Sequence, residues 1–379
     1  MNLMKKKALF LSNELYFDIS KQEGGVRFCT EEYFTLIHEL YDVELFKVNY
    51  RNTLLFRLIV KLGLNIYCEY DTKKYAKSLI NIIEQKEVVV VFLNLSNTTP
   101  FASIIKAKFG KSVKVILCSH GNESTDYLHE VTRVKKNYLN RISFFSSFAL
   151  GSMLIEEVNQ RQNYLDGVLT VSPIEESLEK WLGAKKVIMI PRIVKNKYLI
   201  RKPISGRIGF IGDLSHYPNF YGINEVCKSF ELLSVKENME LRLVGSPKFI
   251  GEKLSSLYPF VTYIGYLEND DLENEVRTWS SFLNPVFYYS KGVSTKLAKA
   301  LGWRLPVITT SIGCRGYVWS KGSLLIADSP LDMAKKINEF IEGHEKIELI
   351  TKEIEDLTNT LPTLVDNAKN LKDFLADLS

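Results

Sequence analysis

The sequence predicts an α/β protein made of two doubly wound, Rossmann-like domains. Three observations carry this expectation. Short, continuous apolar runs alternate with amphipathic helical patterns along the whole chain, and such runs signal parallel strands covered by helices on both faces. The alternation breaks once, at a polar and basic stretch, and then restarts. Finally, 379 residues with 46% apolar composition are enough for two cores of ordinary size.

The first strand is read from "KALFLS". The opening "MNLMKKKALFLSNELYF" imitates a signal peptide, because Lys5 to Lys7 precede apolar residues. Its apolar run is too short for such a segment, and no small-residue cleavage site follows. The next strands are "VELFKV", "VVVVFLNL" (Val88 to Leu95), "VKVILCSH" (Val113 to His120), "GVLTVS" and "KVIMIP", which ends at Pro191. Between them lie helical patterns such as "RFCTEEYFTLIHELY" and "PIEESLEKWLG". The stretch "RIVKNKYLIRKPISGR" reads as a linker. Strands then resume with "IGFIGDL", "ELRLVGS", "VTYIGYL", "SSFLNPV", "LPVITTS" and "GSLLIAD". The expected division is a first domain over 1–195, a second domain over 205–345, and helices over 346–379 that return to the first domain. In this architecture a ligand lies in a central cleft, at the carboxyl ends of the strands.

Composition removes several classes. Lys and Arg exceed Asp and Glu by five, which suits small anions or an anionic membrane face and is too small an excess to indicate nucleic acid. The five cysteines are scattered and never spaced as CxxC, as expected of a reduced, cytoplasmic chain without structural zinc. The most apolar window, "ISFFSSFALGSMLI" (Ile142 to Ile155), is shorter than the roughly 20 residues that span a bilayer. The segment "RNTLLFRLIVKLGLNIY" mixes cations with apolar residues as an interfacial helix does, although a core-facing helix gives the same stripe. No GxGxxG follows the first strand, and there is no P-loop, GxSxG or HExxH motif.

The chemistry is sought at strand ends. Gly24 and Gly25 sit in a strand-to-helix loop, where bare backbone can approach an anion. Among the histidines, His38 falls on a helix face and His129 and His344 are expected at the surface. His120, at the end of an apolar strand, is the functional candidate. Asn122, Glu123 and Asp126 offer hydrogen bonds to sugar-like hydroxyls, or simply cap a helix. In the second half Gly212 ends a strand and Asp213 follows it. Asp270 and Asp271 are expected to cap a helix rather than to hold metal.

The stretch "SKGVSTKLAKALGWRLPVITTS" places Lys291, Lys296 and Lys299 around a helix start. A helix N-terminus is already positive, so lysine there is unfavourable unless an anion binds. The loop amides, the Ser294 and Thr295 hydroxyls and Lys296 together suggest a diphosphate seat. Lys291 and Lys299 pointing into solvent is the plain alternative.

These residues resemble the glycosyltransferase family 4 group, of GT-B type. The resemblance rests on "FIGDLSHYPN", "LRLVGSP", "VTYIGYLENDDLENEVRTWSSFLNPV" and "GVSTKLAKALGWRLPVITTSIGCRGY", with "EGGVR", "SHGNESTDY" and "DGVLTVSPIEESLEKWLGAKKVIMIPRIV" before them. It implies that Lys296 faces the donor diphosphate and that Gly292, Ser294 and Thr295 form its phosphate loop. It implies that His120 lies close to the transferred sugar. The sequence also departs from the family. Lys291 and Lys299 stand where a Glu-x7-Glu motif carries its acids, and Pro191-Arg192-Ile193 replaces Pro-Asn-Gly. An ammonium at 299 cannot accept ribose hydrogen bonds as a carboxylate does.

The resemblance implies transfer of a sugar from a nucleotide diphosphate donor to a cell-surface polysaccharide, lipid-linked or glycoprotein acceptor. Retention at the anomeric carbon is implied, with no metal and no cofactor beyond the donor itself. The setting is cytoplasmic, with peripheral contact to the inner face of a membrane as a side expectation. The alternative is a non-catalytic subunit that supports a partner glycosyltransferase; an epimerase on the same fold ranks third.

Overall fold

The computed structural model describes residues 5–17, 24–62, 67, 69–133, 141–233, 239–343 and 347–378. The chain divides into two units. The first holds residues 1–191, 290–293 and 363–379, and the second holds 192–289 and 294–362.

In the first unit the order is β1 (Lys7–Asn13), α1 (Gly25–Leu40), β2 (Asp42–Val48), α2 (Leu54–Lys61), α3 (Thr72–Gln85), β3 (Val90–Asn94) and α4 (Pro100–Phe109). There follow β4 (Lys114–Cys118), α5 (Glu123–Arg133), α6 (Phe144–Asn163), β5 (Gly167–Thr170), α7 (Pro173–Trp181) and β6 (Val187–Met189). The strands form one parallel sheet in the order β2-β1-β3-β4-β5-β6. Successive side chains of a strand point to opposite faces, and here both faces are buried. Leu9, Leu11, Val91, Leu93, Val115 and Leu117 pack on one side, whereas Ala8, Phe10, Val90, Phe92 and Ile116 pack on the other. This double burial is why the sequence shows continuous apolar runs instead of alternation.

The second unit repeats the plan with β7 (Arg207–Ile211), α8 (Tyr217–Leu232), β8 (Glu240–Val244), α9 (Lys248–Leu257), β9 (Val261–Gly265), α10 (Asn269–Val276) and β10 (Ser281–Asn284). Then come α11 (Thr295–Gly302), β11 (Val307–Thr309), β12 (Leu325–Ile326), α12 (Pro330–Glu342) and α13 (Ile347–Asn359), before α14 (Leu364–Ala376) returns to the first unit. The sheet is again parallel, in the order β12-β11-β10-β7-β8-β9. Each sheet therefore reverses direction once, between β1 and β3 in the first unit and between β7 and β10 in the second. Open α/β sheets bind ligands at the carboxyl ends of strands beside such a reversal.

Three details differ from the sequence expectation. Residues 346–379 do not act together. Ile354 and Leu357 of α13 are buried in the second unit, whereas Leu371 and Phe374 of α14 are buried in the first. The break falls at Pro362 and the capping box of Thr363 and Asp366 that starts α14. Gly167 accommodates that last helix, since a Cβ there would come within 2.8 Å of the Phe374 ring. The stretch after Pro191 is no free linker. The amides of Lys197, Lys202 and Ile204 donate to the carbonyls of Gly302, Arg277 and Thr278, and Leu199 is buried among second-unit residues. Finally, Glu268 occupies the N-cap of α10, so Asp270 and Asp271 lie in its first turn, where they oppose the helix dipole.

The first unit also buries a full ion pair. Arg161 on α6 grips Glu179 on α7 with two bonds, Nε to Oε2 at 2.8 Å and an Nη to Oε1 at 3.0 Å, both side chains wholly enclosed. Burial alone would favour a neutral Arg161, but Glu179, with Glu157 and Tyr67, more than offsets it and holds the guanidinium pKa above its usual value. Removing one partner leaves a buried charge without compensation. Glu179→Ala is expected to cost about 3–5 kcal/mol in urea unfolding. The double variant Arg161→Met/Glu179→Leu is expected to recover most of that loss.

Candidate functional site

At the reversal of the first sheet, polar side chains appear only where the strands end. Asn94 closes β3, and its Nδ2 donates to Ser12 Oγ at 2.8 Å and Thr30 Oγ1 at 2.9 Å. Its Oδ1 therefore faces the other way and accepts from His120 Nε2 at 2.8 Å. That contact makes Nε2 the protonated nitrogen of the ring. His120 follows β4 by two residues, is buried, and has the Tyr33 ring 5.7 Å away. Tyr33 is fixed in turn by donating to the Ser119 carbonyl at 2.9 Å.

The turn after His120 starts α5. Asn122 Oδ1 accepts from the Thr125 amide at 2.9 Å, so this residue caps the helix. Glu123 and Asp126 are taken by another segment of the same unit, residues 290–293. Lys291 Nζ lies 2.5 Å from Glu123 Oε2, and the Lys291 amide donates to Asp126 Oδ1 at 3.0 Å. Burial pulls the Lys291 ammonium pKa down, but Glu123, Asp126 and Glu69 outweigh it and leave the pKa raised. Gly121 permits this approach. Its φ is +124°, and a Cβ would stand 2.3 Å from the Gly292 amide nitrogen. Gly292 itself has φ +79°.

In the second unit β7 is followed at once by Gly212, φ +157°, where a Cβ would press on Asn219 Nδ2 and Lys296 Cε at 3.3 Å each. Asn219, in the first turn of α8, donates to the Asp213 carbonyl at 2.7 Å and accepts from Lys296 Nζ at 2.5 Å. Lys296 lies in the first turn of α11, half-buried, its ammonium 5.3 Å from the centre of the Phe210 ring. Burial pushes its pKa down to about 8, against a smaller upward pull from Asp213. The Asp213 carboxylate is exposed and accepts from the Ser215 amide and hydroxyl.

Ser294 is the N-cap of α11. Its hydroxyl accepts from the Leu297 amide at 3.3 Å and donates to Asn284 Oδ1 at 3.0 Å. Asn284 closes β10 and also donates to Thr309 Oγ1 at the end of β11, 2.9 Å away. The Ser294 hydroxyl is thus committed to the fold, and what α11 offers an anion is the amides of its first turn, the helix dipole and Lys296.

The structure thus sorts the sequence candidates. Gly212, Asp213, Ser294, Thr295 and Lys296 gather at the β7/β10 reversal of the second unit. His120, Lys291 and Gly292 gather in the first unit. Gly24 and Gly25 are exposed at the start of α1, where Gly24 has φ +116°. Lys299 lies one turn into α11 and is exposed. His129 is half-buried on α5, not at the surface as expected, while His344 and Cys68 lie outside the described residues. Sequence reasoning missed Asn94 and Asn284, which hold the two clusters in place. Each is the first polar residue after an apolar strand run, "VVVVFLN" and "SSFLN", and that position was the available signal.

The Lys291–Glu123 pair is testable by a double-mutant cycle. Lys291→Met and Glu123→Gln are expected to show a coupling on the order of 1–3 kcal/mol, as contacting partners do. The exchange Lys291→Glu/Glu123→Lys is expected to restore most of the stability that either single reversal removes, as read by thermal unfolding.

Comparison with known proteins agrees with this fold. Residues 205–343 match the family model described as "Glycosyl transferases group 1". No curated protein matches the chain significantly. Sucrose-phosphate synthase from Thermosynechococcus elongatus superposes with a TM-score of 0.68 at 14% identity, covering 99% of this chain and 99% of that one. The lipopolysaccharide outer core galactosyltransferase WaaB, in its apo form, gives 0.64 at 14% identity over 98% and 99%. A variant of TarM from S. aureus, in complex with Fondaparinux, alpha-GlcNAc-glycerol and UDP, gives 0.54 at 12% identity over 82% and 59%. The chain therefore has the two-sheet fold of the GT-B glycosyltransferases, and its residues 205–343 are similar to the group 1 glycosyl transferases.

Proposed function

We propose that the protein transfers a sugar from a nucleotide diphosphate sugar to a glycan acceptor, with the donor held by the second unit and the acceptor by the first. The observation that carries this reading is Lys296, a cation at a helix N-terminus beside the β7/β10 reversal, held by Asn219 and depressed to about pKa 8. A cation kept in that setting costs free energy until an anion arrives. The negative charge that grows on a departing nucleotide diphosphate supplies one.

On this reading the donor's anomeric carbon–oxygen bond breaks as the diphosphate leaves, the acceptor hydroxyl oxygen bonds to that carbon, and the hydroxyl proton passes to the departing diphosphate. Lys296, the first-turn amides of α11 and the helix dipole stabilise the leaving group, so no metal ion is called for. His120, its Nε2 fixed by Asn94, orients the sugar or the incoming hydroxyl. Retention at the anomeric carbon, and a cell-surface polysaccharide, lipid-linked or glycoprotein acceptor, remain part of the proposal. Four cysteines, Cys29, Cys118, Cys227 and Cys314, are free thiols, which fits a reducing, cytoplasmic setting.

A second reading, a nucleotide-binding subunit that supports a partner transferase, is favoured by one observation. The Lys291 ammonium is engaged by Glu123, and position 299 presents an exposed lysine in place of an acid. Calorimetry with UDP tests both readings. Wild type is expected to bind, and Lys296→Ala to bind about 10- to 100-fold more weakly, the worth of one charge-assisted hydrogen bond. If no nucleoside diphosphate binds, or if Lys296→Ala binds as wild type does, the diphosphate seat is wrong. Binding without sugar transfer to any glycan extract selects the subunit reading.

A further inference from the structure

Glu157 on α6 is a wholly buried carboxylate. Among the described residues no lysine or arginine pairs with it, since Arg161, one turn further on, is bonded to Glu179. Its Oε1 instead accepts from the Ser124 amide at 3.1 Å and from the Tyr67 hydroxyl, and its Oε2 lies 3.5 Å from Asn122 Nδ2. Ser124 is the second residue of α5, so Glu157 takes one of the amides that a helix start leaves unbonded. Asn122 takes the next, from Thr125. The positive end of α5 is thus the countercharge of Glu157, joined to it by a charge-assisted bond. A glutamine would fill the same space and accept the same amide without burying a charge. What glutamate adds at this position is the charge.

The other side of the same turn rests on the neighbouring ion pair. Ser119 Oγ donates to Glu179 Oε1 and accepts from the Gly121 amide, each at 3.3 Å. Arg161, whose charge is supported by both Glu179 and Glu157, also reaches Ser96 Oγ at 3.5 Å, two residues beyond Asn94. Both strand ends that frame His120 are therefore tied to α6 and α7. Residues 94–96 are tied through Arg161, and residues 119–124 through Glu179 and Glu157. His120 lies between these anchors with its Nε2 on Asn94, and Glu123, which holds Lys291, adjoins Ser124. Glu157, Arg161 and Glu179 have no surface to offer a ligand. Whatever they do for the site, they do through this turn.

We propose that Glu157 is a positioning residue, whose charge, set against the first turn of α5, fixes residues 119–124 so that His120 keeps its Nε2 proton on Asn94. The Ser119–Glu179 bond is the second anchor of the turn. The consequence for sugar transfer rests on the transferase reading, in which His120 orients the sugar or the incoming hydroxyl. The positioning itself is read on the free protein.

NMR of the full chain with nitrogen-labelled histidine tests it, at about pH 8, where a neutral ring reveals its tautomer. The His120 signals are assigned by their loss in His120→Gln. Wild type is expected to show one tautomer, with the proton on Nε2. Glu157→Gln keeps the shape and removes the charge. It is expected to show a mixture of tautomers, with exchange of the Ser124 amide about tenfold faster, the worth of one charge-assisted hydrogen bond. Ser119→Ala removes a single hydroxyl, and is expected to shift the His120 signals in the same direction by less. The inference is overturned if Glu157→Gln unfolds cooperatively, as wild type does, and keeps wild-type His120 signals and Ser124 exchange. If that variant does not fold, Ser119→Ala decides, and wild-type His120 signals there overturn it. UDP binding in the same samples separates this result from the transferase reading. Wild type that binds no UDP strikes that reading and leaves the positioning of His120 standing.

Discussion

A parallel sheet buried on both faces has no room for polar side chains except at the ends of its strands. That constraint arranges everything else in this protein. After their first residues, β1, β3 and β4 are apolar to both sides until Ser12, Asn94 and the Ser119–His120 pair, and β7 and β10 until Gly212 and Asn284. At those points a polar group must find a partner or pay for its burial. The partners it finds are the neighbouring strand ends, so Asn94 gathers Ser12, Thr30 and His120, and Asn284 gathers Ser294 and Thr309. The chemistry gathers at strand ends because the core leaves it nowhere else to go.

The three lysines of one short segment show how the same residue type takes different roles in different surroundings. Lys291 is neutralised by Glu123, and its backbone amide is tied to Asp126, so it works as an anchor for residues 290–293. Lys296 is half-buried, receives a neutral amide oxygen as partner, and keeps an unspent charge. Lys299 is exposed, and interactions of an exposed cation are screened and worth little. The resemblance to family 4 transferases marked 291 and 299 as reversed acids. In this chain the acid facing position 291 comes instead from Glu123 at the start of α5.

Much of the fold was legible in the sequence. Each of the twelve strands of the described residues lies within one of the apolar runs read from it, or passes it by one residue at an end, because parallel strands leave a clear signal when both faces are covered. Less could be read where tertiary packing decides. The stretch 192–207 looks like a linker by composition, yet its backbone hydrogen bonds and Leu199 attach it to the second unit. The division between α13 and α14 depends on which core each apolar face meets, and periodicity alone carries no such information. At the site, His120, Gly212 and Lys296 were visible as strand-end and helix-start residues. The pairing of Lys291 with Glu123, 168 positions apart, was not. Long-range ion pairs leave no local pattern.

The central claim is that Lys296 is the cation that receives a diphosphate, and proton linkage tests it most directly. Burial lowers its pKa from 10.5 to about 8, so between pH 8 and 10 the free protein holds this lysine largely neutral. A bound diphosphate favours the charged form, so binding in that range must take up a proton, and affinity must fall as pH rises through 8. Calorimetry of UDP binding at pH 8.5, in buffers of different ionisation enthalpy, is expected to show proton uptake in wild type and none in Lys296→Met. Equal heats in all buffers, with an affinity unchanged from pH 7 to 9, would contradict the account.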